Sequence, residues 1–255
     1  MAAIPLQREI HYPESDGKPM AESDLHRDVM ADLIYALKTR YAGEPNVYVG
    51  GNLLLYYVEG DPRKSVSPDV LVTWGIRKGR RKTYLLWKEG RAPGFVIEVT
   101  SDTTRSEDLG KKKELYLRLG IEEYILFDPL GDYLHPRLQG HRLVLGRYQP
   151  IPLEADGSLL SRTTGLRLRI EGENLRLIDE ATGERLLFAE EERAARLAER
   201  AARLEERAAR LAERKARLAE RAARLAAEER AEQEAKARRA LEEEIERLRR
   251  ELGRS

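Results

Sequence analysis

Hydrophobic and polar positions divide the chain into two regimes. Up to about residue 189 the apolar residues come in short bursts separated by turn residues; beyond that they follow a seven-residue beat. In the first regime Val29, Leu33, Ala36 and Leu37 recur at helical spacing after Ser23, whose hydroxyl can cap a helix running to about Tyr41. Strand-like segments follow at 46–50, 53–58, 69–74, 83–87 and 95–100, the first two joined by Gly51-Asn52, which suits a tight hairpin turn. Ser106 is placed to cap a second helix over 107–119 that stops at Gly120. Further strands are expected at 123–127, closed by Asp128-Pro129, and around 143–148, 166–170 and 175–178. A helix, a strand meander and a strand–helix–strand unit predict an α+β (α/β) fold, a mixed β-sheet core with flanking helices.

The second regime, residues 190–255, repeats RAARLAE. Leu197, Leu204, Leu211, Leu218 and Leu225 fall seven apart, and three residues before each stands Ala194, Ala201, Ala208, Lys215 or Ala222. That is an a/d seam with Leu at d and mostly Ala at a. A shorter seam in another register follows at Leu241, Ile245, Leu248 and Leu252. Ala, Leu, Arg and Glu are strong helix formers, so this segment reads as a long C-terminal helix. Two states suit it: a coiled coil that sets the oligomeric state, with a dimer favoured, or a solvated single helix held by Glu–Arg pairs. The expected organisation is a globular domain over 1–189 and a helical coiled-coil tail over 190–255.

Composition agrees with this division. The 66 tail residues hold 19 basic and 17 acidic side chains and no Pro or aromatic residue; the remaining 189 hold 27 basic and 28 acidic ones. Cysteine is absent, which excludes disulfides, thiolate metal sites and cysteine nucleophiles. No apolar run approaches the roughly 20 residues of a membrane span. The opening stretch MAAIPLQREIHYPESDG is broken by prolines and charges, so a soluble, cytoplasmic protein is expected. His11, His26, His135 and His141 show no ligand spacing, and phosphate-loop, dinucleotide-binding and nucleophile-elbow motifs are missing.

Candidate chemistry concentrates in residues 93–129. Glu98 interrupts the buried-strand sequence FVIEVT, and the period-two pattern sets it opposite Phe95, Ile97 and Val99. An ionised carboxylate buried there costs several kcal/mol (~2 or more) unless a cation or several donors compensate it. Upstream, Asp69 follows Pro68 at the mouth of another apolar strand. Two such acids can converge on one hard cation, magnesium or manganese, whose bound water is the nucleophile of metal-assisted hydrolysis. One of Lys111, Lys112 and Lys113, turned toward the sheet, could orient that water or offset charge on the phosphate.

The series Pro68-Asp69, Glu98-Val99-Thr100-Ser101, Asp108, Lys112, Tyr116, Gly120-Ile121, Glu123-Tyr124 and Asp128-Pro129 resembles the Uma-two family of restriction endonucleases, within the PD-(D/E)XK nuclease superfamily. The resemblance spans about residues 20–180 and implies a restriction-endonuclease-like core and magnesium-dependent hydrolysis of DNA. It further implies that Asp69 and Glu98 bind the metal with the carbonyl of Val99. The superfamily's lysine, two residues after the Glu, is replaced by Thr100; Lys112 on the following helix matches the substitute, and Asp108 and Tyr116 share its helical face. His26 is similar to a histidine of the family. The basic run 77–82, RKGRRK, can meet a phosphate backbone or stand as a solvated hairpin tip. Two rival readings remain: a non-catalytic interaction scaffold built on a decayed nuclease core, and a DNA-binding module without cleavage.

Overall fold

The computed structural model describes residues 10–15, 23–101 and 104–252. Helix α1 (Asp24–Arg40) starts where Ser23 Oγ accepts from the His26 amide, and its buried stripe is Val29, Met30, Leu33, Ala36 and Leu37. There follow β1 (Val47–Gly50), β2 (Leu55–Tyr56), β3 (Ser65–Val66), β4 (Val70–Trp74), β5 (Tyr84–Leu85), a single turn α2 (Leu86–Glu89) and β6 (Phe95–Val99). A π-helical turn (Glu107–Lys112) leads into α3 (Lys113–Leu119), then come β7 (Glu123–Phe127), β8 (Leu138–Val144), β9 (Arg147–Pro150), β10 (Leu159–Ser161), β11 (Leu166–Glu171), β12 (Asn174–Asp179) and α4 (Ala189–Leu252).

Six strands form the central mixed sheet in the order β1-β4-β6-β7-β8-β9, antiparallel except for β6 and β7. That pair is parallel because the π-turn and α3 carry the chain back between them. Strands β10, β11 and β12 make a second antiparallel sheet, and β3-β2-β5 a small third one. The alternation read from the sequence holds. Phe95, Ile97 and Val99 pack with Val70, Val72, Ile125 and the apolar face of α1, while Val96 turns to the other face with Leu71, Tyr124, Leu126 and Tyr116. Glu98 therefore projects toward α3.

Several expected elements change. Gly51-Asn52 does not join a hairpin: β1 pairs with β4, and β2 leaves for the small sheet. The Asn52 amide donates to the Pro68 carbonyl at 2.8 Å, binding this turn to the entrance of β4. Long-range pairing with β4 outweighs a local turn signal. The strand expected over 83–87 lasts two residues before α2, and the one expected over 143–148 is a hairpin between β8 and β9, turned at Leu145 and Gly146, both with positive φ. Ser106 does not cap the second helix. It already lies in helical geometry, and the helix begins where the Arg105 amide donates to Ser101 O and the Asp108 amide to Thr104 O.

The chain divides into two compact units, Met1–Glu192 and Arg193–Ser255. The described side chains of the second are all exposed, its five heptad leucines at 50–58 %. Ion pairs at i,i+4 line that helix, Glu199–Arg203, Glu206–Arg210 and Glu213–Arg217 among them. Among the described residues no helix is long and apolar enough to cross a membrane.

Candidate active site

Register builds the site. In the antiparallel β4–β6 pair Val70 opposes Ile97 and Leu71 opposes Val96, so one step further along sets Asp69 opposite Glu98. Directly opposed residues of an antiparallel pair point to the same side, with Cβ atoms about 5 Å apart. The contacts agree: the Val99 amide donates to Asp69 Oδ2 at 2.7 Å, and the Asp69 amide faces Glu98 Oε2 at 3.4 Å. Asp69 is held from behind as well. An added Cβ on Gly51 would stand 1.9 Å from the Asp69 carbonyl oxygen, so only glycine fits there.

Glu98 is wholly buried, and both its oxygens are engaged. The Tyr116 hydroxyl donates to Oε1 at 2.5 Å, and the Lys112 ammonium donates to Oε2 at 2.9 Å. Lys112 lies equally close to Asp108 Oδ1, at 2.9 Å, and Asp108 is also wholly buried. The π-turn puts Asp108, Lys112 and Tyr116 on one side, and the Tyr124 hydroxyl ties it to the sheet by donating to the Asp108 carbonyl at 3.0 Å. The three lysines separate clearly. Lys111 is exposed, Lys113 meets His141 Nε2 at 2.8 Å, and only Lys112 reaches Glu98. His26 Nε2 stands 3.4 Å from Asp69 Oδ2.

The electrostatics are those of a site rich in acid. Burial pushes the Glu98 carboxyl well above the usual carboxylate range; Lys112 opposes this, and Asp69 and Asp108 add to it. Burial raises Asp108 too, against Lys112. For Asp69 burial acts in the same direction but is overcome by the His26 contact, the Lys112 ammonium and the Val99 amide, leaving it below its ordinary value. Burial would strip Lys112 of its proton, but Glu98, Asp108 and Asp69 more than reverse this and hold it firmly as an ammonium.

Two buried carboxyl groups, Glu98 and Asp108, thus share Lys112, with the partly exposed Asp69 beside them. Among the described residues no three His, Asp or Glu side chains form a ready-made metal cage. A hard divalent cation does not need one, because magnesium binds through one or two carboxylates and keeps several waters. The donor set fits that pattern: Asp69 Oδ1 has no protein partner among the described residues, and Thr100 Oγ1, on the Glu98 side of the strand, is buried without one. Val99 meets Asp69 through its amide.

The basic run 77–82 is largely committed to the fold. Arg81 pairs with Glu89 at 2.6 Å and lies over the Tyr48 ring, Lys78 donates to the Tyr41 and Ala42 carbonyls, and Lys82 pairs with Glu14. The closing motif is structural. Buried Glu123 takes Arg142 at 2.7 Å and the Ser161 hydroxyl, joining the central sheet to the second one. Asp128 accepts four backbone amides, from Leu130, Gly131, Tyr133 and Leu134. The sequence pattern by itself gave Asp108 and Tyr116 no chemical role, although their i, i+4 and i+8 spacing with Lys112 pointed to a shared face.

No curated protein matches the chain. It resembles the crystal structure of a putative nuclease belonging to DUF820 from Anabaena variabilis ATCC 29413, at 18 % identity and a TM-score of 0.43, over 58 % of this chain and 76 % of that one. The sequence profile of the Uma2 family, described as "Putative restriction endonuclease", matches residues 2–175, about two thirds of the chain. The chain belongs to the Uma2 family.

Proposed function

We propose that the protein is a divalent-metal-dependent endonuclease that hydrolyses phosphodiester bonds in DNA, and that it acts as a dimer joined through its C-terminal helix. The observation that carries the reading is the acid pair of buried Glu98 and partly exposed Asp69, set in register on adjoining strands, with the Lys112 ammonium and the His26 imidazole facing them and Asp108 among the described residues. Burial drives the Glu98 carboxyl toward its neutral form, and a divalent cation would hold it ionised. Family membership supports the reaction class.

Magnesium or manganese, held by Asp69, Glu98 and the Val99 carbonyl, would supply an acidified water and charge stabilisation at a phosphoryl oxygen. The protein's own groups do the rest. His26 and the Val99 amide fix Asp69 Oδ2, leaving Oδ1 to face a ligand. Tyr116 holds Glu98 Oε1, which orients that carboxylate. Lys112, keeping its proton, acts as donor and positive charge: it would orient the attacking water and offset negative charge on the phosphoryl oxygens.

A second reading has an observation of its own. Lys112 already closes on both Glu98 and Asp108, as it would in a purely structural cluster on which a non-catalytic scaffold is built. Magnesium-stimulated cleavage of supercoiled plasmid separates the two. The nuclease nicks or linearises the plasmid, and Asp69→Ala and Glu98→Ala abolish this while circular dichroism stays unchanged. An inactive wild-type protein supports the scaffold, and a fully active Glu98→Ala variant ends the assignment of Glu98 to the reaction.

A further inference from the structure

The globular part is nearly neutral, and three of the five cations of its basic loop 77–82, Lys78, Arg81 and Lys82, are engaged in internal bonds. A protein acting on DNA therefore needs its phosphate affinity from elsewhere, and the C-terminal helix has an uncompensated supply. Residues 193–228 hold 11 basic and 6 acidic side chains. The acids neutralise one arginine row only: Arg203, Arg210, Arg217 and Arg224, at the heptad c positions, pair with Glu199, Glu206, Glu213 and Glu228. The row at g (Arg200, Arg207, Arg214 and Arg221) has no carboxylate partner among the described residues.

Self-pairing does not compensate that row. In a parallel coiled coil each g residue meets the e residue of the next heptad in the other copy. Those are Glu205, Ala212, Ala219 and Ala226, so a single arginine finds an acid. In an antiparallel pair g meets g, arginine against arginine. A second copy can cover the leucine seam, but it leaves the guanidinium row open in either orientation. A polyanion is its complement. Four guanidinia repeat every seven residues, about 10.5 Å along the helix, close to three nucleotide steps of a DNA strand at about 3.4 Å each. Arginine forks bind phosphate oxygens well.

We infer that the Arg200, Arg207, Arg214 and Arg221 row binds the phosphate backbone of duplex DNA, so that the C-terminal helix supplies sequence-independent affinity for the substrate. This rests on the nuclease reading for the choice of polyanion, but its test does not depend on cleavage. The full-length protein is titrated in EDTA against a fluorescent duplex of about 30 base pairs, from about 50 to 200 mM KCl, with anisotropy as readout. Replacing all four g arginines by Gln, itself a good helix former, weakens binding about tenfold or more and lowers the slope of log K against log salt by roughly 3 to 4, about 0.9 for each phosphate no longer neutralised. Replacing Arg203, Arg210, Arg217 and Arg224 by Gln removes the same charge and changes the slope by less than half as much.

Equal losses for the two sets, or none for either, overturn the inference. So does displacement of the duplex by polyglutamate at equal charge, which would mark an acidic-protein site instead. Sedimentation of both variants shows whether assembly is altered; if the g set loses affinity only because it dissociates, the inference also fails. Loss of plasmid cleavage with this binding intact would refute the nuclease and leave the arm standing.

Discussion

A Cβ built on Gly51 falls 1.9 Å from the carbonyl oxygen of Asp69, so the absence of one side chain fixes where the acid at the mouth of β4 can stand. Gly51→Ala must push the two backbones apart. The expected cost is that of overpacking, about 1–3 kcal/mol in urea unfolding, with weaker magnesium binding because Asp69 is displaced. Unchanged stability and unchanged metal affinity together would show that the acid tolerates movement.

Tyr116→Phe removes the only hydroxyl donated to Glu98 Oε1 among the described residues and leaves a buried carboxylate oxygen unsatisfied. The loss expected is about 1–3 kcal/mol of stability, with cleavage reduced but measurable, since the hydroxyl positions Glu98 rather than touching substrate. Chemical denaturation and initial cleavage rates check both parts.

The lysine run separates by contact. Lys112→Met lowers the cleavage rate about 100-fold or more, whereas Lys111→Met and Lys113→Met stay within a few-fold of wild type, as only Lys112 reaches the acids. Rates measured at saturating magnesium decide it. Equal losses at all three positions would point to a diffuse basic patch.

Stability has an acid limb of its own. Burial, then the Lys113 ammonium, lower the His141 imidazole to about 4, while an unfolded histidine titrates near its ordinary 6.5. On acidification the unfolded chain takes the proton first. Stability present above pH ~6.5 is therefore lost between about 6.5 and 4, up to about 3 kcal/mol, and no further below. His141→Gln should flatten that limb when unfolding free energy is followed against pH.

Where local pattern and packing coincide, the chain could be read directly. The period-two alternation of 95–100 located Glu98 on the face opposite Phe95, Ile97 and Val99, and the heptad leucines marked a long helix. Gly51-Asn52 misled because a local turn signal carries no information on which distant strand claims β1. The π-turn at 107–112 was hidden because its residues have no special composition beyond Gly110, yet it sets Asp108 and Lys112 against Glu98. The meeting of Asp69 with Glu98 depends on sheet register, which a linear reading supplies only through family resemblance.

The most direct measurement is calorimetric titration of magnesium into the full-length protein and into Glu98→Gln. The account predicts saturable binding near one ion per chain for the wild type and none for the variant, whose fold is retained. A wild type that binds no ion, or a variant that binds as tightly, would contradict a shared metal between Asp69 and Glu98.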